Sequence, residues 1–331
     1  MSIKVGIPKS LFYYQMYPLW NTFFEELGAE VVTSQSTTKK VLDNGVRICV
    51  DEACVPVKLF HGHVLEIKDK VDFLFIPRLT SISKGEYVCP KFGGLPDMIK
   101  NTIKGLPEII DVEINCRKDE NNELDSIIKI GSFIVDDEKL IRRAYRAALD
   151  KFNDYNEDIK KGFMPEDEKN RKSNLFVVKD SGIINIAVIG HPYNLYDSYI
   201  NMNLFKKLRT HGVNIITQEM ISDDIVSHHA AKLNKRVFWN FGRKALGSVM
   251  HMIEERSDIK GIIYLMSFGC GIDAFIGDLA ERTVRRNTDI PFIYVTIDEH
   301  SGEAGLDTRL EAFIDMIRWR ENNEVDISAY G

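Results

Sequence analysis

The sequence lacks the compact motifs by which many enzymes are recognised. It has no GxxxxGK[ST] loop and no GxGxxG after a strand-like run, which excludes the usual cradles for nucleotide phosphates and dinucleotides. No GxSxG elbow presents a serine nucleophile. The five cysteines form no CxxC pair, so neither a zinc ribbon nor a dithiol redox motif is written in their spacing. No apolar run approaches the ~20 residues of a membrane-spanning helix. Nor is there a basic excess: the net charge is −6, without the electrostatic footprint of a nucleic-acid binder. The start, Met1-Ser2-Ile3-Lys4-Val5-Gly6, runs into a strand-like segment and does not resemble a secretory leader. An odd cysteine count in a long chain argues against a disulfide framework. The expectation is a cytoplasmic protein whose thiols stay reduced and free for metal or catalysis.

What is present is ordinary globular material: 331 residues, 44% hydrophobic and 28% charged, enough to bury a core and to make two domains. Apolar runs alternate with helical periodicity, the pattern of a mostly parallel, doubly wound α/β sheet. In the first half, strands are expected at Ile3–Pro8, Glu30–Thr33 and Asp72–Pro77, with helices at Trp20–Leu27, near Thr38–Leu42 and near Val55–Ile67. The second half repeats the order. Strands are expected at Ile184–Gly190, Asn214–Thr217, Gly261–Ser267 and Phe292–Ile297, with helices at Ser198–Thr210, Asp223–Leu233, Arg243–Glu255 and Asp273–Arg285.

The likeness extends to local sequence. Gly6-Ile7-Pro8 through Tyr13-Tyr14 parallels Gly190-His191-Pro192-Tyr193: a strand enters a Pro-marked turn carrying tyrosines. Two Rossmann-like lobes are therefore expected, at residues 1–116 and 183–331. A charged helical connector, 117–182, would lie between them as a solvated surface segment, with the boundary near 175–183. Internal duplication and a generic likeness of doubly wound domains both account for this pattern.

Ligands in open α/β sheets bind beyond the carboxyl ends of the strands, and Cys54, Cys89 and Cys270 all fall on that side. Cys54 precedes a helix near Pro56, Cys89 lies in Val88-Cys89-Pro90, and Cys270 sits between Gly269 and Gly271 ahead of another helix. Helix N-termini favour thiolate, so Cys54 and Cys270 are expected to ionise readily. Gly269 and Gly271 allow close backbone approach to a bound sulfide or thiolate. If the fold brings the three thiols together, they make a ligand set for an iron–sulfur cluster or another soft metal. A zinc ion would need a fourth ligand, for which His61, His63, His191 and His300 are available. The other reading is that these cysteines are buried small hydrophobes, as Cys49 and Cys116 are taken to be. The Pro-Tyr turns place Tyr13 or Tyr14 and His191 or Tyr193 at the same sheet ends, and Glu299 and His300 follow the strand at Phe292–Ile297. His300 is the expected proton donor, because imidazole titrates near neutrality.

Several segments together resemble a known family. They are Gly6-Ile7-Pro8 to Tyr14, Val50-Asp51-Glu52-Ala53-Cys54, Lys84 to Asp97 around Cys89, Phe268-Gly269-Cys270-Gly271, and Asp298 to Gly305. The chain resembles the module related to 2-hydroxyacyl-CoA dehydratase activases, which occurs alone or fused to activase domains. Thr308-Arg309-Leu310-Glu311-Ala312-Phe313 is similar to a signature of the catalytic subunits of 2-hydroxyacyl-CoA dehydratases and benzoyl-CoA reductases. The resemblance implies an iron–sulfur cluster between two lobes, a 4Fe–4S or a double-cubane cluster, held by Cys54, Cys89 and Cys270. It implies low-potential electrons from a separate ATP-hydrolysing activator, and reduction or dehydration of a small or CoA-thioester substrate. A symmetric activator would be met by a homodimer or pseudo-symmetric heterodimer. A non-catalytic electron carrier that docks to an activase and a metal-free α/β binding protein are the alternatives.

Overall fold

A computed structural model of the chain describes residues 2–117, 121–165 and 184–328. Two four-stranded sheets carry the fold, and every pairing within them is parallel. In the first, β1 (Lys4–Ile7), β2 (Glu30–Thr33), β3 (Phe73–Phe75) and β5 (Glu108–Ile110) lie in the order β2-β1-β3-β5. In the second, β7 (Ile184–Gly190), β8 (Val213–Thr217), β9 (Ile259–Ser267) and β10 (Phe292–Ile297) lie in the order β8-β7-β9-β10. Each sheet thus has its own first strand between the second and third, and the fourth outside the third. The doubly wound α/β architecture is present twice with one strand order.

The helices follow the same plan. In the first lobe, α1 (Tyr13–Glu26) links β1 to β2, α2 (Lys39–Ile48) and α3 (Val55–Ile67) link β2 to β3, and α4 (Pro90–Thr102) precedes β5. Two helices, α5 (Asn121–Gly131) and α6 (Glu138–Lys160), stand between the lobes in sequence. In the second lobe, α7 (Pro192–Leu195) and α8 (Leu204–Thr210) link β7 to β8. From β8 to β9 run α9 (Asp223–Ala230) and α10 (Asn240–Glu255), from β9 to β10 runs α11 (Gly271–Asn287), and α12 (Glu303–Ser328) closes the chain.

The pairs α2/α3 and α9/α10 correspond in detail. A Cβ on Gly62 of α3 would come within 2.0 Å of the Val41 carbonyl oxygen of α2. A Cβ on Gly247 of α10 would come within 2.3 Å of the Val226 carbonyl oxygen of α9. Only glycine permits either approach, and each is the eighth residue after its helix's N-cap, Cys54 and Trp239 respectively. That shared register supports duplication over generic likeness.

Several expected bounds shift for local reasons. The helix expected at Ser198–Thr210 begins only at Leu204, because Met202 and Asn203 take left-handed φ values of 54° and 57°. The third strand of the first lobe outlasts its apolar run. Pro77 has no N–H to give, so the ladder breaks there and resumes as β4 (Arg78–Ser81) against β6 (Glu113–Asn115). The amides of Ile76 and Arg78 reach the carbonyls of Ile110 and Val112 across the break, both at 3.1 Å. This extension carries the chain toward Cys89.

The connector is not a solvated segment where it is helical. α6 buries Ile141, Ala144, Tyr145, Ala148, Tyr155 and Ile159, and Tyr145 meets Phe23 of α1 edge-on at 6.3 Å. Apolar burial of this kind is worth roughly 25 cal/mol per Å² and outweighs the charge on the outer face. Within the connector the chain is helical from Asn121, and the expected boundary near 175–183 lies outside the described residues. In the second lobe β7 alternates: Ile186 and Val188 enter a core shared with the first lobe, while Ala187 and Ile189 face α10 and α11.

Candidate functional site

Each of the three singled-out cysteines is the N-cap of a helix: Cys54 of α3, Cys89 of α4 and Cys270 of α11. Proline stands in the first turn of α3 and α4, where its missing N–H costs no hydrogen bond. All three cysteines line one cavity of about 520 Å³ between the lobes. Cys49 and Cys116 are buried and do not line it. The strand-end position of the thiols thus translates into convergence, with the partial positive ends of three helices facing one space.

Polar contacts surround the thiols. The amide of Asp273 donates to Cys270 Sγ at 3.5 Å, and Lys91 Nζ lies 3.8 Å from Cys54 Sγ. His191 Nε2 stands 4.0 Å from Cys270 Sγ and 3.1 Å from Asp273 Oδ1, which also accepts from the Tyr264 hydroxyl at 3.2 Å. His191 stacks on Tyr193 with ring centroids 4.8 Å apart and is held edge-on by Phe241 at 4.7 Å. His191 Nδ1 and Asp273 Oδ2 are buried without a hydrogen-bond partner among the described residues.

The expected easy ionisation of Cys270 does not hold in the protein alone. Burial pushes its thiol up, and the nearby Asp273 carboxylate and the other two thiols add to this. Cys89 is also raised, first by burial. Desolvation raises both thiols in spite of their positions at helix N-termini.

Of the other expected site residues, His191, Tyr193, Gly269 and Gly271 line the cysteine cavity. Gly269 has φ +75°, the left-handed turn that brings Cys270 round to the start of α11. Tyr13 and Tyr14 do not join them. Tyr13 lines a separate apolar cavity of about 50 Å³, and Tyr14 lines an inter-lobe cleft of about 350 Å³ with Tyr155 and Tyr196. They sit on the first turn of α1, which directs them away from the thiols. Glu299 and His300 also lie off the cavity. Glu299 is ion-paired with Lys58, which is almost wholly buried one turn past Cys54 on α3. Burial pushes the Glu299 carboxyl up, but Lys58 outweighs it and holds the group below its ordinary range. His300 is exposed, its amide donating to Asp298 Oδ1 at 2.8 Å.

Three residues that sequence reasoning passed over belong to the site. Trp239 lines the cavity from the N-cap of α10, Phe275 from α11 and Lys91 from α4. Trp239 is placed by a seam between the lobes. Tyr87 N donates to Phe238 O at 2.7 Å and Asn240 N to Tyr87 O at 2.9 Å. Asn240 Nδ2 donates to Glu86 Oε2 at 2.7 Å, and Arg243 pairs with the same carboxylate.

Fold and site define a class: a two-lobed, doubly wound α/β protein with three cysteines at helix N-cap positions lining the inter-lobe cavity. The chain belongs to the family of the CoA enzyme activase uncharacterised domain, whose sequence model matches residues 4–221, about two-thirds of its length. The match includes Cys54, Cys89 and His191 and ends before Cys270. No curated protein matches the chain. Among the described residues, no helix is long and apolar enough to cross a membrane.

Proposed function

We propose that the chain is the cluster-bearing partner of an ATP-hydrolysing activator. In this reading Cys54, Cys89 and Cys270 hold an iron–sulfur cluster of the 4Fe–4S kind between lobes at 1–116 and 183–331, flanked by the connector 117–182. When bound, the cluster supplies one-electron reduction and a Lewis-acidic iron for a small or CoA-thioester substrate, as in dehydratase- and reductase-like components. The observation that carries the reading is that three cysteines, each at the start of a helix, line one cavity. Three details of the structure fit such a centre: soft donors from both lobes, helix N-termini that stabilise an anionic cluster, and the Lys91 ammonium beside Cys54.

The chain's other residues have defined tasks here. Trp239 and Phe275 give the cavity an apolar wall beside the thiols, which lowers the local dielectric on that side. His191 is clamped between Tyr193 and Phe241, and a proton carried at its Nε2 lies between the Asp273 carboxylate at 3.1 Å and Cys270 Sγ at 4.0 Å. Phe268 and Phe275 are 69% and 67% exposed at the Cys270 edge, an apolar surface suited to a donor that must dock close to the centre.

The test is anaerobic reconstitution followed by iron and sulfide analysis and EPR of the reduced protein. About four irons and four sulfides per chain are expected. Cys54→Ser, Cys89→Ser and Cys270→Ser should each lose most of the iron, whereas Cys49→Ser and Cys116→Ser should retain it. An iron-free reconstituted chain, or equal loss on Cys49→Ser, overturns the reading. Cluster reduction that requires both activator and ATP would separate an activated acceptor from an ordinary electron carrier.

A further inference from the structure

A second group of metal-type ligands lies in the second lobe, away from the cysteines. His229, in the last turn of α9, meets His251 and Glu255, one turn apart near the end of α10. His229 Nε2 is 3.0 Å from Glu255 Oε1, and His251 Nδ1 is 3.2 Å from Glu255 Oε2. One ligand atom from each of the three residues falls within 4.8 Å of the others. We propose that His229, His251 and Glu255 form a site for a divalent first-row metal, with zinc the best fit, independent of the cysteine cavity.

The spacing suits the ion. Ligand atoms about 2.0–2.1 Å from a tetrahedral zinc are about 3.4 Å apart, close to the separations seen. Two imidazoles and one carboxylate are a zinc-type donor set that leaves a fourth position open. Glu255 is half exposed, so the cluster is open to solvent on that side. An outer carboxylate is in place as well: His229 Nδ1 lies 3.3 Å from Glu254 Oε2. A proton on Nδ1 shared with Glu254 leaves Nε2 free for the metal, the usual support of a ligating histidine. Lys232 lies 3.3 Å from the same Nδ1, but its charge is taken up by an ion pair with Glu254. The two helix C-termini add partial negative charge that favours a cation.

The competing account is a protonated His229 paired with Glu254 and Glu255. It satisfies His229 but leaves His251, which is 8% exposed, with only a poorly aligned approach of its Nδ1 to Glu255 Oε2 at 3.2 Å. A metal satisfies both rings and ties α9 to α10.

Cobalt(II) titration of the full chain carrying Cys54→Ser, Cys89→Ser and Cys270→Ser tests the site without the thiols. One equivalent should bind, giving visible d–d bands without a thiolate charge-transfer band, and zinc should displace it and raise the melting temperature. Adding His251→Gln or His229→Gln should weaken binding by at least about tenfold, and Glu254→Gln by less. If the serine variant folds poorly, the wild-type chain should bind a cobalt equivalent with d–d bands only, beside the thiolate-type one, and lose it on His251→Gln. Absence of the d–d signal, or binding unchanged by His251→Gln and His229→Gln, overturns the site. Neither result bears on the cluster.

Discussion

The two lobes share a strand order, a glycine-locked helix pair, and a further helix capped by cysteine: Cys89 on α4 and Cys270 on α11. They differ at the N-cap of the helix before it. α3 begins at Cys54, α10 begins at Trp239, and both side chains line the same cavity. Two copies of one topology offer four equivalent corners around the cavity, and this chain places thiols at three and an indole at the fourth. The asymmetry leaves one side of the cavity apolar, walled by Trp239 and Phe275.

The largest expected effect tests the likeness itself. Gly62→Ala and Gly247→Ala each drive a Cβ into a backbone carbonyl of the neighbouring helix, where no flexible side chain can yield. Overpacking of this severity should destabilise by about 3 kcal/mol. If the lobes are built alike, the two losses should be similar in denaturant titrations. A loss under about 1 kcal/mol at one site alone would show that the helix pairs are not equivalent.

A smaller effect should separate the lobes by acid. The residue after Gly62 is His63, whereas the residue after Gly247 is Ser248, and both are fully buried. His63 bonds Ser34 Oγ at 2.8 Å and Thr37 Oγ at 3.0 Å, and burial, with nearby Lys9, pushes it down to about 3. Its folded pKa lies below the unfolded value, so the unfolded chain binds the extra proton. Stability should fall as pH drops below about 6.5 and level off near 3, with about 2 kcal/mol lost by pH 5. His63→Gln should flatten that limb in melting experiments. An unchanged acid slope would place the titrating group elsewhere.

Much of this comparison could be read before the structure, and the failures have identifiable causes. β2 and β10 fall at their expected bounds because short apolar runs there end in clear breakers. The convergence of Cys54, Cys89 and Cys270 follows from the strand-end rule, which needs topology but no contact information. α4 was hidden by Gly93, Gly94 and Pro96, which lower helix propensity and are overridden by packing of Phe92, Leu95 and Ile99. The buried stripe of α6 has helical spacing in the sequence, but dense charge on the other face obscured it. Tyr13 and Tyr14 were misplaced because a strand-end turn fixes where a helix starts, not which way its first turn faces. Trp239 required the register of Gly62 and Gly247, which has meaning only once both helices are known to touch a carbonyl.

The smallest effect on stability gives the sharpest test of the asymmetry. Trp239 is only partly buried, so Trp239→Cys should cost little in folding. It would place a fourth thiol at the corner equivalent to Cys54, and it rests on the cluster reading above. A three-thiolate cluster leaves one iron open, so the reduced wild-type protein should change its EPR spectrum when a small exogenous ligand is added. Trp239→Cys should keep the iron content, shift the starting spectrum and abolish the response, because the new thiolate closes the open position. Trp239→Phe keeps an aromatic wall and should respond as wild type does. If Trp239→Cys binds iron normally yet responds like wild type, the fourth corner does not face the open iron, and the likeness of the lobes stops short of the centre. If both variants lose the response, the indole itself shapes the ligand pocket, and the difference between Cys54 and Trp239 sets what the cavity admits.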